Sequence, residues 1–404
     1  MTAYKDMTLD QRRAEYAALQ TAFADLKAQG LKLDMTRGKP CKDQLDMVSD
    51  IFDMLKEPED YIVDGIDIRN YGALSGLPEA KRLFANLLDC KPKQVFVGGN
   101  ASLQLMYGVI DCAFIHGRLN SPRPWCKEPV VKWLCPAPGY DRHFKLTESF
   151  GFELITIPMT STGPDMDAVE EAIKDPAVKG IWCVPKYSNP EGITIMWDNA
   201  YCIHEFDGDY VEFPDILHQC KKYGNYDMVY EFASTSKITF PGDGVACMAT
   251  SEANLEDFEK WIGIQTISYD KVNQQRHVLY LQNRAHTLKL MKKHAAFMKP
   301  KFEAVLSTLD REIAPLEIAS WSHPKGGYFV SFDAMPGTAK RTLALCKEAG
   351  VAMTAAGATF PYGIDPNDSN IRIAPSFPPV EDVEKAIAVF CTCVKMSALE
   401  KLGV

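Results

Sequence analysis

From residue 78 to residue 250 the spacing of apolar positions switches back and forth between two periods. Short, mainly apolar runs recur at Val95-Phe-Val, Val130-Val-Lys-Trp-Leu, Phe152-Glu-Leu-Ile-Thr-Ile, Gly180-Ile-Trp-Cys-Val-Pro, Ile193-Thr-Ile-Met-Trp-Asp, Asp227-Met-Val-Tyr-Glu-Phe and Gly244-Val-Ala-Cys-Met-Ala. Their length, their β-branched and aromatic content and the turn residues around them predict buried strands. Between them, 78–89, 102–115, the stretch after Tyr140, 167–174 and 213–223 carry the three-to-four spacing of helices. Strands alternating with helices predict a three-layer α/β unit whose mostly parallel sheet is covered on both faces.

The two ends of the chain follow a different pattern. Thr8 caps an amphipathic stretch through Tyr16, Leu19, Phe23 and Leu26 that Gly30 closes, and a second helix is expected over 45–56. Apolar residues at 288, 291, 295, 298, 302, 305 and 309 form one continuous stripe, predicting a long helix over 286–311 able to bridge two domains. A strand at 327–332, a helix at 338–349, short strands near Val351 and Ile371 and a final helix over 380–401 complete a smaller α+β unit. The expected division is 1–58 plus 286–404 for the small domain and 59–285 for the large one.

One junction breaks the pattern. Only Lys186 to Gly192 separate the runs 180–185 and 193–198, whereas a parallel crossover ordinarily takes a dozen or more residues and a helix. Either these strands are not parallel neighbours, or a segment is missing near Gly192-Ile193.

Composition narrows the class. The 404 residues carry a net charge of −9 with no basic block, which argues against a nucleic-acid partner. No apolar run approaches bilayer length. The first residues, with Asp6, Asp10 and Glu15 among the basic ones, resemble neither a secretory signal nor a transit peptide. The twelve cysteines include no C-x-x-C pair, and no two of the eight histidines stand at i, i+4. Reduced thiols, no metal site and a cytoplasmic location are the expectation.

Sites of parallel sheets gather at the carboxyl ends of the strands. Five strand-end loops bring different chemistry there: Gly98-Gly-Asn-Ala-Ser102, Pro138-Gly-Tyr140, Lys186 to Gly192, Asp198-Asn-Ala-Tyr201 and Ser234-Thr-Ser-Lys237. The first runs into a helix, whose free N–H groups and dipole suit a phosphate. It is neither a dinucleotide fingerprint nor a Walker loop. Asp198, ending an apolar strand, could keep a pyridine nitrogen protonated. Tyr201 and Asn189 could hydrogen-bond a ring phenolate, and Tyr140 could stack on the ring. Lys237 alone would read as a solvated lysine in a polar turn. Behind a buried strand its ammonium is costly, and desolvation makes it a neutral amine able to attack a carbonyl. A phosphate cradle, an aromatic lid, an anion, phenolate donors and a lysine together ask for pyridoxal 5′-phosphate.

The motifs NYGALSGLPEAK (70–81), KYSNPEG (186–192), DNAY (198–201), STSKITF (234–240), KGGYFVSFD (325–333) and NIRIAPSFP (370–378) resemble, in order and across the whole chain, the fold-type I aminotransferases. More narrowly, they resemble the aspartate aminotransferases with an S-x-S-K-I-T-F signature. The resemblance implies that Lys237 holds the cofactor as a Schiff base, that Asp198 pairs with the pyridinium, and that Tyr201 and Asn189 reach the phenolate oxygen. It assigns the phosphate to Asn100, Ala101, Ser102, Ser234 and Ser236, joined by Tyr71 from a second subunit, hence a homodimer with shared sites. Arg372 would clamp the substrate α-carboxylate with Gly38 beside it. Two departures stand out: Val245 occupies the offset where the broad family has a phosphate-binding arginine, and the crossover helix before the Asp198 strand is absent.

The implied reaction is transamination between amino acids and 2-oxo acids, with aspartate and 2-oxoglutarate as the subgroup's pair. Arg37, Lys39, Lys271 and Arg276 are candidates for reading the distal carboxylate, and spacing does not choose among them. The same scaffold could instead run an elimination or decarboxylation. A ligand-sensing module fused to a DNA-binding domain is disfavoured, because the stretch before Arg37 is too short for a winged helix.

Overall fold

A computed structural model describes the chain apart from residues 1, 120, 122, 185–192, 209, 213 and 214. The chain divides into two compact units, Met1–Gln44 with Glu205–Asp209 and Lys292–Val404, and Leu45–His204 with Tyr210–Met291. Residues 45–58 therefore pack with the larger unit, where the sequence expectation grouped them with the smaller. The long helix Arg284–Glu312 begins in one unit and continues in the other.

The larger unit is built on an eight-stranded sheet. Its strands are Val95–Val97 (β1), Lys132–Ala137 (β2), Glu153–Thr160 (β3), Gly163–Pro164 (β4), Val178–Cys183 (β5), Thr194–Asp198 (β6), Val229–Ser234 (β7) and Ala246–Ala249 (β8), in the spatial order β1-β8-β7-β6-β5-β2-β3-β4. β2, β3, β5, β6 and β7 run parallel to their neighbours in that set, and β8 runs antiparallel to both β7 and β1. The central strands are buried along their whole length, as sheets covered on both faces require.

β5 and β6 are parallel neighbours, with Gly180 opposite Thr194 and Cys183 opposite Trp197. This removes the first of the two readings of the short junction. The return from Cys183 to Thr194 regresses only about three residues of strand, roughly 10 Å. The intervening residues 184–193 could span roughly 33 Å if extended.

Two other expectations change. The helix predicted over 45–56 is a short α-helix, Lys42–Asp46, followed by a 3₁₀ turn, Ser49–Asp53. Leu45, Val48, Ile51 and Met54 recur every third residue, and successive i→i+3 bonds (Val48 N–H to Leu45 O, Ile51 to Val48, Met54 to Ile51) follow that period. The helices Glu252–Gln265 and Lys271–Leu281 had no predicted counterpart, although Ser251 and Asp270 cap them by accepting from Asn254 and Asn273 N–H.

The smaller unit draws on both ends of the chain. Leu33–Met35 pairs in parallel with Val351–Met353, and Ala319–Trp321, Val330–Ala334 and Asn370–Ile373 form an antiparallel sheet. Leu9–Ala28 carries the expected Thr8 capping box, with Gln11 as its partner. The terminal helix Val380–Lys401 buries Val383, Ile387, Phe390 and Val394 on one side.

Candidate active site

The carboxyl ends of β6 and β7 and the start of the helix Ser102–His116 bring the predicted groups of the larger unit together. β7 runs two residues further than the sequence suggested, so Ser234 is its last residue and Lys237 follows in the turn. That turn is tied down repeatedly. Thr235 Oγ1 accepts from Val245 N–H at 2.9 Å, Thr239 donates to the Thr235 carbonyl, and Thr239 Oγ1 lies 2.9 Å from His277 Nε2. Val245 itself is buried, so the offset where the resemblance expects an arginine is a packing position here.

Lys237 is held in a desolvated place. Burial pushes its pKa down from the usual lysine value, and the nearby Asp198 charge pulls it partly back up. Its Nζ lies 4.5 Å from the centroid of the Tyr201 ring.

Asp198 ends β6 with its side chain buried. One oxygen, Oδ2, is 2.9 Å from His143 Nε2. The other, Oδ1, is buried without a hydrogen-bond partner among the described residues, which marks a place for a donor. His143 sits in the first turns of the helix Asp141–Ser149, stacked on Trp182 of β5 with ring centroids 4.5 Å apart and planes at 10°. Tyr140, just before that helix, meets His143 edge-on at 5.0 Å. The sequence reading found Tyr140 but missed His143. Its signal was its position: three residues after Tyr140, one helical turn from the same strand end.

The phosphate-type cradle has the expected parts. Ala101 is the N-cap of the helix Ser102–His116, and no acidic residue occupies its first turn. Ser234 Oγ donates to Ser236 Oγ at 3.0 Å, and Ser236 reaches the Asn100 carbonyl at 3.5 Å. Gly98 is required by close approach, since a Cβ there would lie 2.6 Å from the Tyr269 ring. Tyr71 is 76% exposed and its N–H donates to Asn70 Oδ1. Asn189 lies outside the described residues.

Gly38 and Arg372 belong to the smaller unit. Arg372 stands opposite Ser331 in the antiparallel sheet, its guanidinium 4.8 Å from the Phe329 ring centroid. A Cβ at Gly38 would collide with that same Phe329 ring at 2.6 Å, so only glycine fits beside it. Of the four cations considered for a distal carboxylate, Arg276 is paired with Asp243 at 2.9 Å and Lys271 donates to the Asn70 carbonyl at 2.6 Å. Lys39 lies over the Phe377 ring, and Arg37 and Lys39 are both exposed.

Comparison with known proteins bears on the family and the fold. The family model described as aspartate amino-transferase matches residues 7–196 and 193–404. A putative aminotransferase of Mycolicibacterium smegmatis is 44% identical over 423 aligned positions that cover 99% of both chains. That span exceeds the 404 residues here, so the relative carries residues with no counterpart in this chain. The family match divides at 193–196, where the crossover is short. The aspartate aminotransferase of Corynebacterium glutamicum is 43% identical, covering 95% of this chain and 93% of that one. A crystal structure of an aspartate transaminase from the same species superposes with a TM-score of 0.96 at 40% identity, covering 99% of both chains.

Proposed function

This chain belongs to the aspartate aminotransferase family and is an aminotransferase, and from that premise we propose that it transfers the amino group of L-aspartate to 2-oxoglutarate with pyridoxal 5′-phosphate as cofactor. The observation that carries the reading is the buried Asp198 carboxylate, whose Oδ1 has no hydrogen-bond partner among the described residues and whose charge reaches the half-buried Lys237 amine. A pyridinium N–H is the donor that would satisfy that oxygen, and the helix start at Ser102 with Ser234 and Ser236 suits the phosphate. When bound, the cofactor supplies an aldehyde for amine capture and an electron-withdrawing ring that stores the electrons released at the substrate Cα.

The chain's own groups divide the remaining work. Lys237, its charge disfavoured by burial, is the amine that attaches the cofactor. Once displaced by substrate, it would take the Cα proton and pass it to the cofactor carbon that carried the aldehyde, rather than back to Cα. Asp198 keeps the ring nitrogen protonated, His143 orients Asp198, and Tyr201 with Asn189 would hold the phenolate oxygen. Arg372 is the fork for the α-carboxylate. Arg37 and Lys39, the exposed members of the set of four cations, are the groups to test for the distal carboxylate. The stretch STSKITF around Lys237 supports reading the chain as a member of the S-x-S-K-I-T-F subgroup.

A homodimer with Tyr71 reaching the partner's phosphate completes the reading. Tyr71 is one of several exposed large side chains, with Ile264 at 77% and Ile267 at 64%, and a Cβ at Gly263 would lie 3.4 Å from Leu74, three residues after Tyr71. The twelve free thiols suit a reducing, cytoplasmic setting, and no described helix is long and apolar enough to cross a membrane.

The test is an absorbance scan of the purified protein with pyridoxal phosphate, followed by addition of L-aspartate and an assay for oxaloacetate. A visible cofactor band that decays on addition, with oxaloacetate formed, is expected. Lys237→Ala should lower turnover by a factor on the order of 10²–10⁴. Pyruvate or a decarboxylated amine as product, or full turnover in Lys237→Ala, would overturn the reading.

A further inference from the structure

Glu231 is a buried acid that none of the steps above uses. It stands in β7 opposite Trp197 of β6, and the next pair in register is Phe232 opposite Asp198. Successive residues of a strand point to opposite faces. Glu231 is therefore on the face away from Asp198. It is 3% exposed. Its Oε1 accepts from Asn199 Nδ2 at 2.8 Å, and its Oε2 has no hydrogen-bond partner among the described residues. Around it is a small cavity with room for about one water, ≈ 10 Å³, walled by Leu87, Leu88, Trp197, Cys202 and Tyr210.

The acid is suited to staying neutral. Burial pushes its pKa up to about 8, against the downward pull of the Asn199 hydrogen bond, and Asp215 and Asp89 add to the rise. Those two carboxylates have other duties. Asp215 caps the helix Ile216–Lys222, and Asp89 is paired with Arg284. Cys90 also faces this cluster, its thiol pushed up chiefly by burial.

Asn199 is where this face meets the other. Its backbone N–H donates to the Phe232 carbonyl at 2.7 Å, and its carbonyl accepts from Cys202 N–H at 3.2 Å. Asp198 precedes it by one residue and Tyr201 follows by two. Three atoms of Asn199 are thus fixed: two by main chain, and the side-chain amide by Glu231 alone among the bonds described.

We propose that Glu231 is a positioning residue that sets the Asp198–Tyr201 turn from the opposite face of the sheet by holding the Asn199 amide. The role of that turn toward the cofactor rests on the function proposed above, while the grip itself does not. Without the acceptor, the Asn199 amide would be buried and unsatisfied, so the turn would shift to find another partner. A shift of that kind moves Asp198 away from the ring nitrogen, and small displacements weigh heavily in a preorganised site.

The experiment compares Glu231→Leu, Glu231→Gln and Asn199→Ala with wild type. It measures affinity for added pyridoxal phosphate, the pH titration of the bound cofactor's visible band, and amide hydrogen exchange of the cofactor-free protein. Glu231→Leu should weaken cofactor affinity roughly tenfold, displace the band's titration and speed exchange at Asn199 and Cys202. Glu231→Gln keeps an oxygen for Asn199 and should restore all three. Asn199→Ala should reproduce the loss of affinity and the displaced titration with Glu231 still present, which covers the case in which the leucine variant does not fold. A lowered melting temperature with affinity, titration and local exchange at wild-type values would mean a purely structural acid, and the proposal falls. If wild type binds no pyridoxal phosphate, the function proposed above fails instead. Exchange then decides the grip: acceleration confined to 199–202 supports it, and unchanged exchange refutes it.

Discussion

Asp198 and Glu231 sit one register step apart on neighbouring strands, both buried, and face opposite sides of the same sheet. Around Asp198 are the His143 ring nitrogen at 2.9 Å and, close enough to feel its charge, the Lys237 amine. Around Glu231 are one neutral amide and two further carboxylates, Asp215 and Asp89. Each acid keeps one oxygen without a partner, yet the two orphans mean different things. Beside a ring nitrogen and an amine, an unpartnered oxygen is an invitation to another donor. Beside other acids, it is the place where a proton stays. Depth in the sheet is the same for both; the neighbours on each face decide what the carboxyl can do.

The largest expected effect comes from Asp198, the acid that faces the amine. Asp198→Ala should lower kcat on the order of a thousandfold, since it removes a preorganised charge from the reacting centre. Steady-state rates with saturating cofactor check this, and a loss that excess cofactor abolishes would reduce Asp198 to a binding group. The acid-facing residue should answer in stability instead. Glu231 is raised from about 4.5 in the unfolded chain to about 8 in the fold. Its favourable contribution is therefore complete below about pH 4.5 and is lost as pH climbs through 8. Glu231→Gln removes that slope. The variant's urea-unfolding free energy relative to wild type should rise with pH, by up to about 3 kcal/mol between pH 4.5 and 7. Parallel stability curves would show that Glu231 is already ionised at neutral pH, and the contrast between the faces would vanish.

Much of one face was legible in the sequence and little of the other. Lys237, Asp198, Tyr201 and the Gly98–Ser102 stretch carry chemistry in their residue types and lie next to recognisable strand ends, so period and turn signals sufficed to bring them to one edge. Glu231 was visible only as one polar letter in an apolar run. Its meaning depends on the register with β6 and on Asp89 and Asp215, which come from distant stretches of chain. The helix misread over 45–56 failed for a related reason. Apolar spacing of three suits a 3₁₀ turn as well as a helical face, and Val48 and Ile51 satisfy it without continuous α-helix. Of the two readings of the short junction, the parallel pairing of β5 and β6 leaves the one in which a segment is missing near Gly192-Ile193.

The smallest expected effect tests how Asp198 is held. His143 is buried, stacked flat on Trp182 and edge-on to Tyr140, so His143→Phe preserves an aromatic ring there and removes both ring nitrogens, including the Nε2 that meets Asp198 Oδ2. Both carboxylate oxygens would then lack a protein partner on that face. Supporting groups of this kind commonly matter by a factor of ten to a hundred in metal sites, and with Lys237 and the turn intact a loss in kcat of about tenfold is expected here. KM for aspartate should stay near wild type, because His143 orients the group that meets the cofactor and touches no proposed substrate contact. The bound cofactor's band should also titrate at a displaced pH. Full kcat and an unmoved titration in His143→Phe would mean that the main chain and the Asn199 grip hold Asp198 by themselves. The opposite face of the sheet would then be the principal support of the site, and the two carboxyls would work as one device.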